Sequence, residues 1–316
     1  YIHLRQLAPE TSIVGQIVLC RYPSYEEAPL VYRQAIEHRV GGLLFVVREN
    51  EAAITRRGAY RETAWVPQTL PAYLISTTVA SDLLIGSGYT LDELSLRFTP
   101  TPLSTTVRMA VTVTEQESVT ARNVLGLLPG SDPDRQDEVV VIGAHYDHLG
   151  PEPDGQVMNG ANDNASGVST VLEIARLWHT QGYRPARSVL FAAWDGEELG
   201  LLGSAYYVRH PTMPLTRTVA VLNLDMVGMG ETLRIDAPDE SPLIAQIQAA
   251  ATVYGITTTH MHVGRSDHVS FLDVGIPAAM LIYWPDVYYH TVDDEFPIIA
   301  AQPEKLQAAG MPTSRK

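Results

Sequence analysis

The sequence predicts an α/β protein, with a mainly parallel, mixed sheet that has helices on both faces and a smaller N-terminal part that is α/β or β-rich. Three observations lead to this prediction. Apolar, strand-like segments alternate with helix-like segments from residue 138 to residue 283. In the strand expected at 138–144, the residues after Glu138 form a continuous apolar run, which is typical of a strand covered on both faces. A proline-containing stretch at 99–104 separates this region from the N-terminal part.

The N-terminal part contains alternating strand-like and helix-like segments. Residues 49–68 lack apolar periodicity and are expected to form a loop or hairpin. Pro100 and Pro102 have no backbone donor and disfavour regular structure around them. We therefore expect a linker at 99–104, so that residues 1–104 form one domain with its linker and residues 105–316 form the other. Hydrophobic patterning predicts strands at 13–20, 41–47 and 70–76, and helices at 28–39 and 77–86.

The second domain is predicted to contain the large sheet. In sheets of this kind, ligands bind at the carboxyl ends of parallel strands. We therefore expect functional side chains where these strands end. Strands are expected at 107–113, 121–128, 138–144, 188–194, 218–225 and 278–283, and helices at 165–179, 199–209 and 241–254.

Composition and charge exclude several classes of protein. The net charge of −14 argues against binding to nucleic acid or to an anionic membrane. No stretch reaches the roughly 20 apolar residues that span a bilayer, and the chain does not start with a basic and apolar export signal. Because the sequence has a single cysteine, Cys20, an internal disulfide and a cysteine-based zinc site are excluded. Cys20 is expected to be a buried strand residue.

Five segments of the second domain carry side chains that bind metal ions. Imidazole nitrogens and carboxylate oxygens are the ligands that a hydrolytic zinc site prefers. The sequence therefore predicts a metal-dependent hydrolase. The segments lie at 145–147, 163–164, 195–198, 225 and 290–291.

His145 and Asp147 are two residues apart, so their side chains point to the same side of an extended chain. His145 is expected to bind metal and Asp147 to orient it, because a metal-bound imidazole usually donates its second N–H to a carboxylate or carbonyl. Asp163 lies among small residues just before a predicted helix. A helix cap alone does not need those small residues, so a carboxylate that bridges two cations is favoured.

Glu197 and Glu198 are adjacent acids directly after a predicted buried strand. Two like charges there are costly unless a cation lies between them. We assign Glu198 to the metal and Glu197, unligated, to the general base that takes a proton from water. Asp225 is a charge inside an apolar strand and needs a partner. His290 completes the set, with Asp294 as a candidate to orient it.

These segments together resemble the M28 family of zinc aminopeptidases over about residues 106–300. The resemblance implies a zinc-peptidase fold of the phosphorylase/hydrolase type. It also implies an aminopeptidase that hydrolyses N-terminal residues from peptide substrates. The matching segments are His145-Tyr-Asp147, Asn162-Asp163-Asn164-Ala-Ser-Gly167, Asp195-Gly-Glu197-Glu198-Leu-Gly200-Leu-Leu-Gly203-Ser204, Asn223-Leu-Asp225-Met226, Ser266-Asp267-His268 and His290-Thr-Val-Asp-Asp294.

The resemblance also implies how two zinc ions are bound. Asp163 is expected to bridge them, and a water that the ions share is expected to attack the peptide carbonyl after losing a proton to Glu197. Co²⁺ or Mn²⁺ are possible substitutes for zinc at such ligands. The expected ligand sets are His145, Asp163 and Asp225 for one ion, and Asp163, Glu198 and His290 for the other.

The resemblance also implies an unusual backbone bond beside Asp163, whereas the tyrosine and histidine side chains are interpreted from the residues alone. The peptide bond between Asp163 and Asn164 is expected to be cis. One of Tyr283, Tyr288 and Tyr289 is a candidate to stabilise the oxyanion, and the sequence does not choose between them or exclude plain packing. His260 and His262 are expected to be a surface pair without a role.

The N-terminal part resembles the protease-associated (PA) domain that is inserted in several exported peptidases, over roughly residues 10–98. The resemblance rests on the order of a strand, a helix, a glycine-led strand and the segment 70–76. It implies an exported protein, either periplasmic, extracellular or on the cell surface, whose signal lies outside these residues. The part is expected to be a lid that controls substrate access or an appendage without a role in turnover.

Alternatives to an aminopeptidase stay open. A carboxypeptidase or dipeptidase of the same family would differ in pocket residues that carry no motif. A glutaminyl-cyclase-like transferase would share the fold but use one zinc ion, and a non-catalytic, receptor-like relative would lack ligands that this sequence has. The side-chain preference for the substrate and the oligomeric state are not specified by the sequence.

Overall fold

The computed structural model describes residues 13–22, 28–47, 70–97, 100–109, 119–151, 155–262 and 264–301. The chain divides into two compact units. The first comprises Tyr1–Glu117 with Glu152–Asp154, and the second comprises Ser118–Pro151 with Gly155–Lys316. This division lies beyond the linker expected at 99–104, and the assignment of residues 1–104 as a separate domain stays a prediction.

The first unit contains a parallel three-stranded sheet in the order β1-β2-β3. The central strand β2 is buried at every residue, as its apolar sequence predicts. The buried hydroxyl of Tyr32 donates to the carbonyl of Leu70 (2.9 Å) and accepts from its N–H (3.0 Å), so it fixes the approach to β3. The elements are β1 (Ile17–Arg21), α1 (Ala28–Glu37), β2 (Gly42–Val47), β3 (Ala72–Ser76), α2 (Thr77–Leu83) and α3 (Leu91–Ser95).

The second unit is built on a mixed seven-stranded sheet in the order β11-β10-β12-β9-β5-β8-β4. The four inner strands β12, β9, β5 and β8 are parallel, whereas β4 and β10 each pair antiparallel to a neighbour. The strands are β4 (Val124–Leu128), β5 (Val139–His145), β6 (Gly150–Pro151), β7 (Val157–Met158), β8 (Ser188–Trp194), β9 (Thr218–Leu224), β10 (Thr232–Asp236), β11 (Thr258–Met261) and β12 (Ala278–Trp284). The helices are α4 (Gly167–Gln181), α5 (Leu202–Arg209), α6 (Pro242–Val253), α7 (His268–Leu272) and α8 (Phe296–Ala300), with a short 3₁₀ turn at Leu215–Arg217.

Helices cover both faces of this sheet, which confirms the predicted fold class. Successive residues of β5 point to opposite faces, so Val141 packs with Tyr207 of α5 and Phe271 of α7. Ile142 packs on the other face with Val171 of α4. Because each face is buried, the inner strands need the continuous apolar runs that the sequence contains.

The structure corrects some predicted elements. Strand β10 was not predicted, and residues 107–109 of the strand predicted at 107–113 form no strand. Alternation of apolar and polar residues is not enough for a strand, which also needs a neighbour to accept its backbone hydrogen bonds. The remaining residues of that strand and the loop predicted at 49–68 lie outside the described residues. In the described part of the chain, no helix is both long and apolar enough to cross a membrane.

Candidate metal centre

The predicted site residues meet at the edge where the four parallel strands end. His145 is the last residue of β5, and Asp225 directly follows β9. Residues 195–198 directly follow β8, and His290 lies in the connection after β12. Because these strands are parallel neighbours, their carboxyl ends bring the four segments together.

A first cluster contains His145, Asp163 and Asp225, all buried. The Nε2 atom of His145 lies 3.2 Å from Oδ1 of Asp163 and 3.4 Å from Oδ1 of Asp225. The other ring nitrogen of His145, Nδ1, lies 3.0 Å from the carbonyl oxygen of Asp147. That contact favours the tautomer with the proton on Nδ1 and leaves the lone pair of Nε2 facing the cluster.

A second cluster uses the other oxygen of Asp163. The Nε2 atom of His290 lies 3.1 Å from Oδ2 of Asp163 and 3.4 Å from Oε1 of Glu198. The two oxygens of Asp163 therefore face two different imidazoles. The structure thus brings together all five residues that were predicted to bind metal.

The irregular helical turn at Ala161–Ser166 holds Asp163 through its backbone. The carboxylate of Asp294 accepts from the N–H groups of Asn162 (2.7 Å) and Asp163 (3.0 Å). The amide of Asn164 donates to the carbonyl of Leu224 (2.9 Å), which ties the turn to the end of β9. The peptide bond between Asp163 and Asn164 is cis, as the family resemblance implied. Asp294, considered above for His290, instead fixes the backbone that carries Asp163.

The carboxylate of Asp147 links two of the converging segments. It accepts from the backbone N–H groups of Glu197 (3.0 Å) and Glu198 (3.2 Å). It also lies 3.6 Å from Nδ1 of His145, farther than its own carbonyl oxygen. Asp147 therefore positions the loop of the predicted base as well as the predicted ligand.

A chain of hydrogen bonds orients Asp225. The amide of Asn223 donates to Oγ of Ser266 (2.7 Å), and Oγ of Ser266 donates to Oδ2 of Asp225 (2.7 Å). These bonds occupy one carboxylate oxygen of Asp225 and direct the other toward His145. The segment with Ser266, which matched the family without an expected ligand, thus supports a ligand.

Burial and neighbouring charges shift the acid–base properties of the site. Burial lowers the pKa of His290, but the carboxylates of Asp163 and Glu198 outweigh burial and raise that pKa to about 9. Burial, together with the charge of Asp225, holds the pKa of Glu197 well above its usual range. Glu197 is therefore a stronger proton acceptor than an exposed glutamate.

Buried oxygen atoms in both clusters fit a divalent cation. Oδ1 of Asp225 and Oε1 of Glu198 accept no hydrogen bond of acceptable geometry from the described residues. A buried carboxylate oxygen without a donor is costly unless a cation is its partner. Oxygen and imidazole donors that converge in this way fit zinc.

Sequence reasoning did not single out His148. Its ring is only 7% exposed, and its Nδ1 atom lies 2.8 Å from Oε1 of Glu198 and 3.9 Å from Oδ2 of Asp163. His148 is a second imidazole three residues after His145, but its place beside Glu198 depends on how the loop after β5 folds.

Tyr289 and His260 were also considered from the sequence, and the structure shows which groups they contact. The ring of Tyr289 stacks on that of His290, with centroids 3.8 Å apart. Desolvation of its hydroxyl and the carboxylates of Asp163 and Glu198 raise the pKa of Tyr289 well above its usual value, although the residue is 40% exposed. His260 lies on β11, with Nε2 2.9 Å from the carbonyl oxygen of Ala237.

A mixed α/β sheet with acidic and imidazole clusters at the ends of its parallel strands defines the class of metal-dependent hydrolases. The sequence profile of peptidase family M28 matches residues 123–311, which is more than half of the chain. The chain belongs to this peptidase family.

Named relatives agree with the family. Aminopeptidase YwaD of Bacillus subtilis (strain 168) is 34% identical over 206 residues, which are 60% of this chain and 43% of that relative. The chain therefore spans less than half the length of this curated relative. An aminopeptidase from Aneurinibacillus sp. strain AM-1 shares the fold, with a TM-score of 0.65 and 22% identity over 95% of this chain and 70% of that one. A Porphyromonas gingivalis glutaminyl cyclase has a TM-score of 0.50 and 26% identity, over 60% of this chain and 74% of that one.

Proposed function

We propose that the chain is a zinc-dependent aminopeptidase that binds two zinc ions and hydrolyses N-terminal residues from peptides. The observation that carries this proposal is the position of Asp163. Its two oxygens face His145 at 3.2 Å and His290 at 3.1 Å, so one carboxylate serves two clusters. Two-metal hydrolases use such a shared ligand to hold two cations close together.

The residues of the site have separate roles in the proposed reaction. When bound, the zinc ions polarise the scissile carbonyl and lower the pKa of water. Glu197 removes the proton from the attacking water and delivers it to the leaving amine. Asp147 holds the backbone of Glu197 through a 3.0 Å hydrogen bond. The ligand sets are those proposed from the sequence, His145 and Asp225 on one side of Asp163 and Glu198 and His290 on the other.

The preference for the amino end is supported by the similarity to Aminopeptidase YwaD of Bacillus subtilis, which is an aminopeptidase. A panel of aminoacyl-p-nitroanilides, N-acetylated peptides and C-terminally amidated peptides tests it. We expect hydrolysis of substrates with a free amino group, including the amidated peptides, and loss of activity with a chelator. Cleavage of N-acetylated peptides from the carboxyl end would instead support a carboxypeptidase.

A glutaminyl-cyclase-like transferase is the second candidate, and the similarity to the Porphyromonas gingivalis enzyme favours it. It is expected to use one metal, whereas Asp163 serves two clusters here. Incubation of a peptide with N-terminal glutamine separates the two functions. An aminopeptidase releases free glutamine, and a cyclase forms pyroglutamate and releases ammonia.

We also propose that residues 1–104 form a PA-like domain and that the protein is exported. The resemblance of residues 10–98 to the PA domain supports both statements. The parallel β-sheet and helices of the first unit are compatible with an α/β accessory domain.

A further inference from the structure

His148 lies where the loop after β5 meets the second cluster. Its ring packs into the space that Gly160 leaves, because a Cβ atom at residue 160 would come within 2.5 Å of Cγ of His148. Gly160 also has a φ of 68°, a conformation that favours glycine. The sequence and backbone thus make room for an imidazole beside Glu198.

The contact between His148 and Glu198 is close but is not a hydrogen bond. Nδ1 of His148 lies 2.8 Å from Oε1 of Glu198, yet both atoms are buried without a hydrogen bond of acceptable geometry in the described part of the chain. Together with Asp163, these two residues form a group whose ligand atoms lie close enough to hold a metal ion. Buried polar atoms of this kind require a partner.

His290 faces the same position from another side. Its Nε2 atom lies 3.4 Å from Oε1 of Glu198, and its ring centroid is 5.8 Å from that of His148 at an interplanar angle of 67°. The ligand atoms of His148, Asp163 and Glu198 lie within 4.8 Å of one another, and with His290 four candidate donor atoms face this position. They are Nδ1 of His148, Nε2 of His290, Oε1 of Glu198 and Oδ2 of Asp163.

Four of the six separations among these atoms can be compared with those in tetrahedral zinc sites. Zinc bonds of roughly 2.0–2.2 Å to nitrogen and oxygen place tetrahedral ligand atoms about 3.3–3.6 Å apart. The four measured separations are 2.8 and 3.9 Å from His148 and 3.1 and 3.4 Å from His290, which bracket this value. We propose that His148 is a fourth protein ligand of the metal that Asp163, Glu198 and His290 bind. This inference rests on the zinc pair proposed above.

A fourth protein ligand makes the two centres unequal. The centre of His145, Asp163 and Asp225 has three protein ligands and keeps a position for a small molecule, as catalytic zinc sites do. The centre that includes His148 has four protein ligands. The metal there binds more tightly and exchanges more slowly, whereas the three-ligand centre loses its metal first.

X-ray absorption of the wild-type protein with two zinc ions counts the imidazole ligands directly. We expect three imidazoles per zinc pair, from His145, His148 and His290. Two imidazoles per pair would overturn the inference and leave the proposed function intact. A wild-type protein that binds fewer than two zinc ions would contradict the proposed function and this inference with it.

The variant His148→Ala and the matched control His179→Ala, an exposed residue of α4, supply the second measurement. Loss of a partner that only orients a ligand costs 10–100-fold in metal affinity. We expect His148→Ala to weaken one of the two zinc sites by more than about 100-fold and to lower the imidazole count to two. His179→Ala should leave both unchanged. A loss below about 100-fold with an unchanged imidazole count would reduce His148 to a positioning residue and overturn the inference.

Discussion

Replacing Glu197 with Gln separates catalysis from metal binding. Glutamine has nearly the same size but cannot accept the proton from water, so we expect kcat to fall by about 10²- to 10⁴-fold, equivalent to about 2.7–5.4 kcal/mol. The loop should stay in place because Asp147 holds it through the N–H groups of Glu197 and Glu198, at 3.0 and 3.2 Å. Both zinc ions should therefore remain bound.

Glu198→Gln is the matched control, since it makes the same chemical change one residue later. Oε1 of Glu198 lies 3.4 Å from Nε2 of His290, so its charge belongs to the second cluster. We expect this variant to lose zinc from that cluster as well as activity. Steady-state hydrolysis of an aminoacyl-p-nitroanilide, together with zinc analysis of the same dialysed samples, distinguishes the variants. Near-wild-type kcat in Glu197→Gln, or equal zinc loss in both variants, would refute the assigned roles.

Three other predictions test the supporting structure. Asp147→Asn weakens the acceptor for two backbone N–H groups, so kcat/KM should fall about 10- to 100-fold, and an unchanged value would contradict its positioning role. Tyr32→Phe leaves the buried N–H and carbonyl of Leu70 without this partner and should destabilise the first unit by about 1–3 kcal/mol in urea unfolding, whereas a change near zero would argue against the bond. Because the pKa of His290 is about 9 without metal, zinc must displace its proton, and affinity should rise about tenfold per pH unit below that value for each proton displaced. Calorimetry in buffers of different ionisation enthalpy should show proton release on zinc binding, and a pH-independent affinity would exclude this linkage.

The inner strands and the ends that carry the site could be predicted from the sequence. Strand β8 begins and ends where its apolar run does, at Ser188–Trp194, because a strand covered on both faces excludes polar side chains. His145 and Asp225 then follow as polar residues at strand ends. The rule that ligands bind at the carboxyl ends of parallel strands was enough to group them.

Features that depend on long-range contacts could not be predicted from the sequence. Strand β4 starts at Val124, later than predicted, and the N–H of Arg122 instead donates to the carboxylate of Asp195 (2.8 Å). Strand β10 has partly exposed positions such as Arg234, and its antiparallel pairing with β12 has no local signature. His148 was missed for the same reason, since only the folded loop places it against Glu198.

Anomalous diffraction from crystals of the zinc-loaded protein, collected on both sides of the zinc absorption edge, tests the central claim most directly. The claim is that Asp163 holds two cations between His145 and His290. We predict two zinc peaks, roughly 3.5–4 Å apart, with the carboxylate of Asp163 between them. A single peak, or peaks that Asp163 does not bridge, would contradict the account.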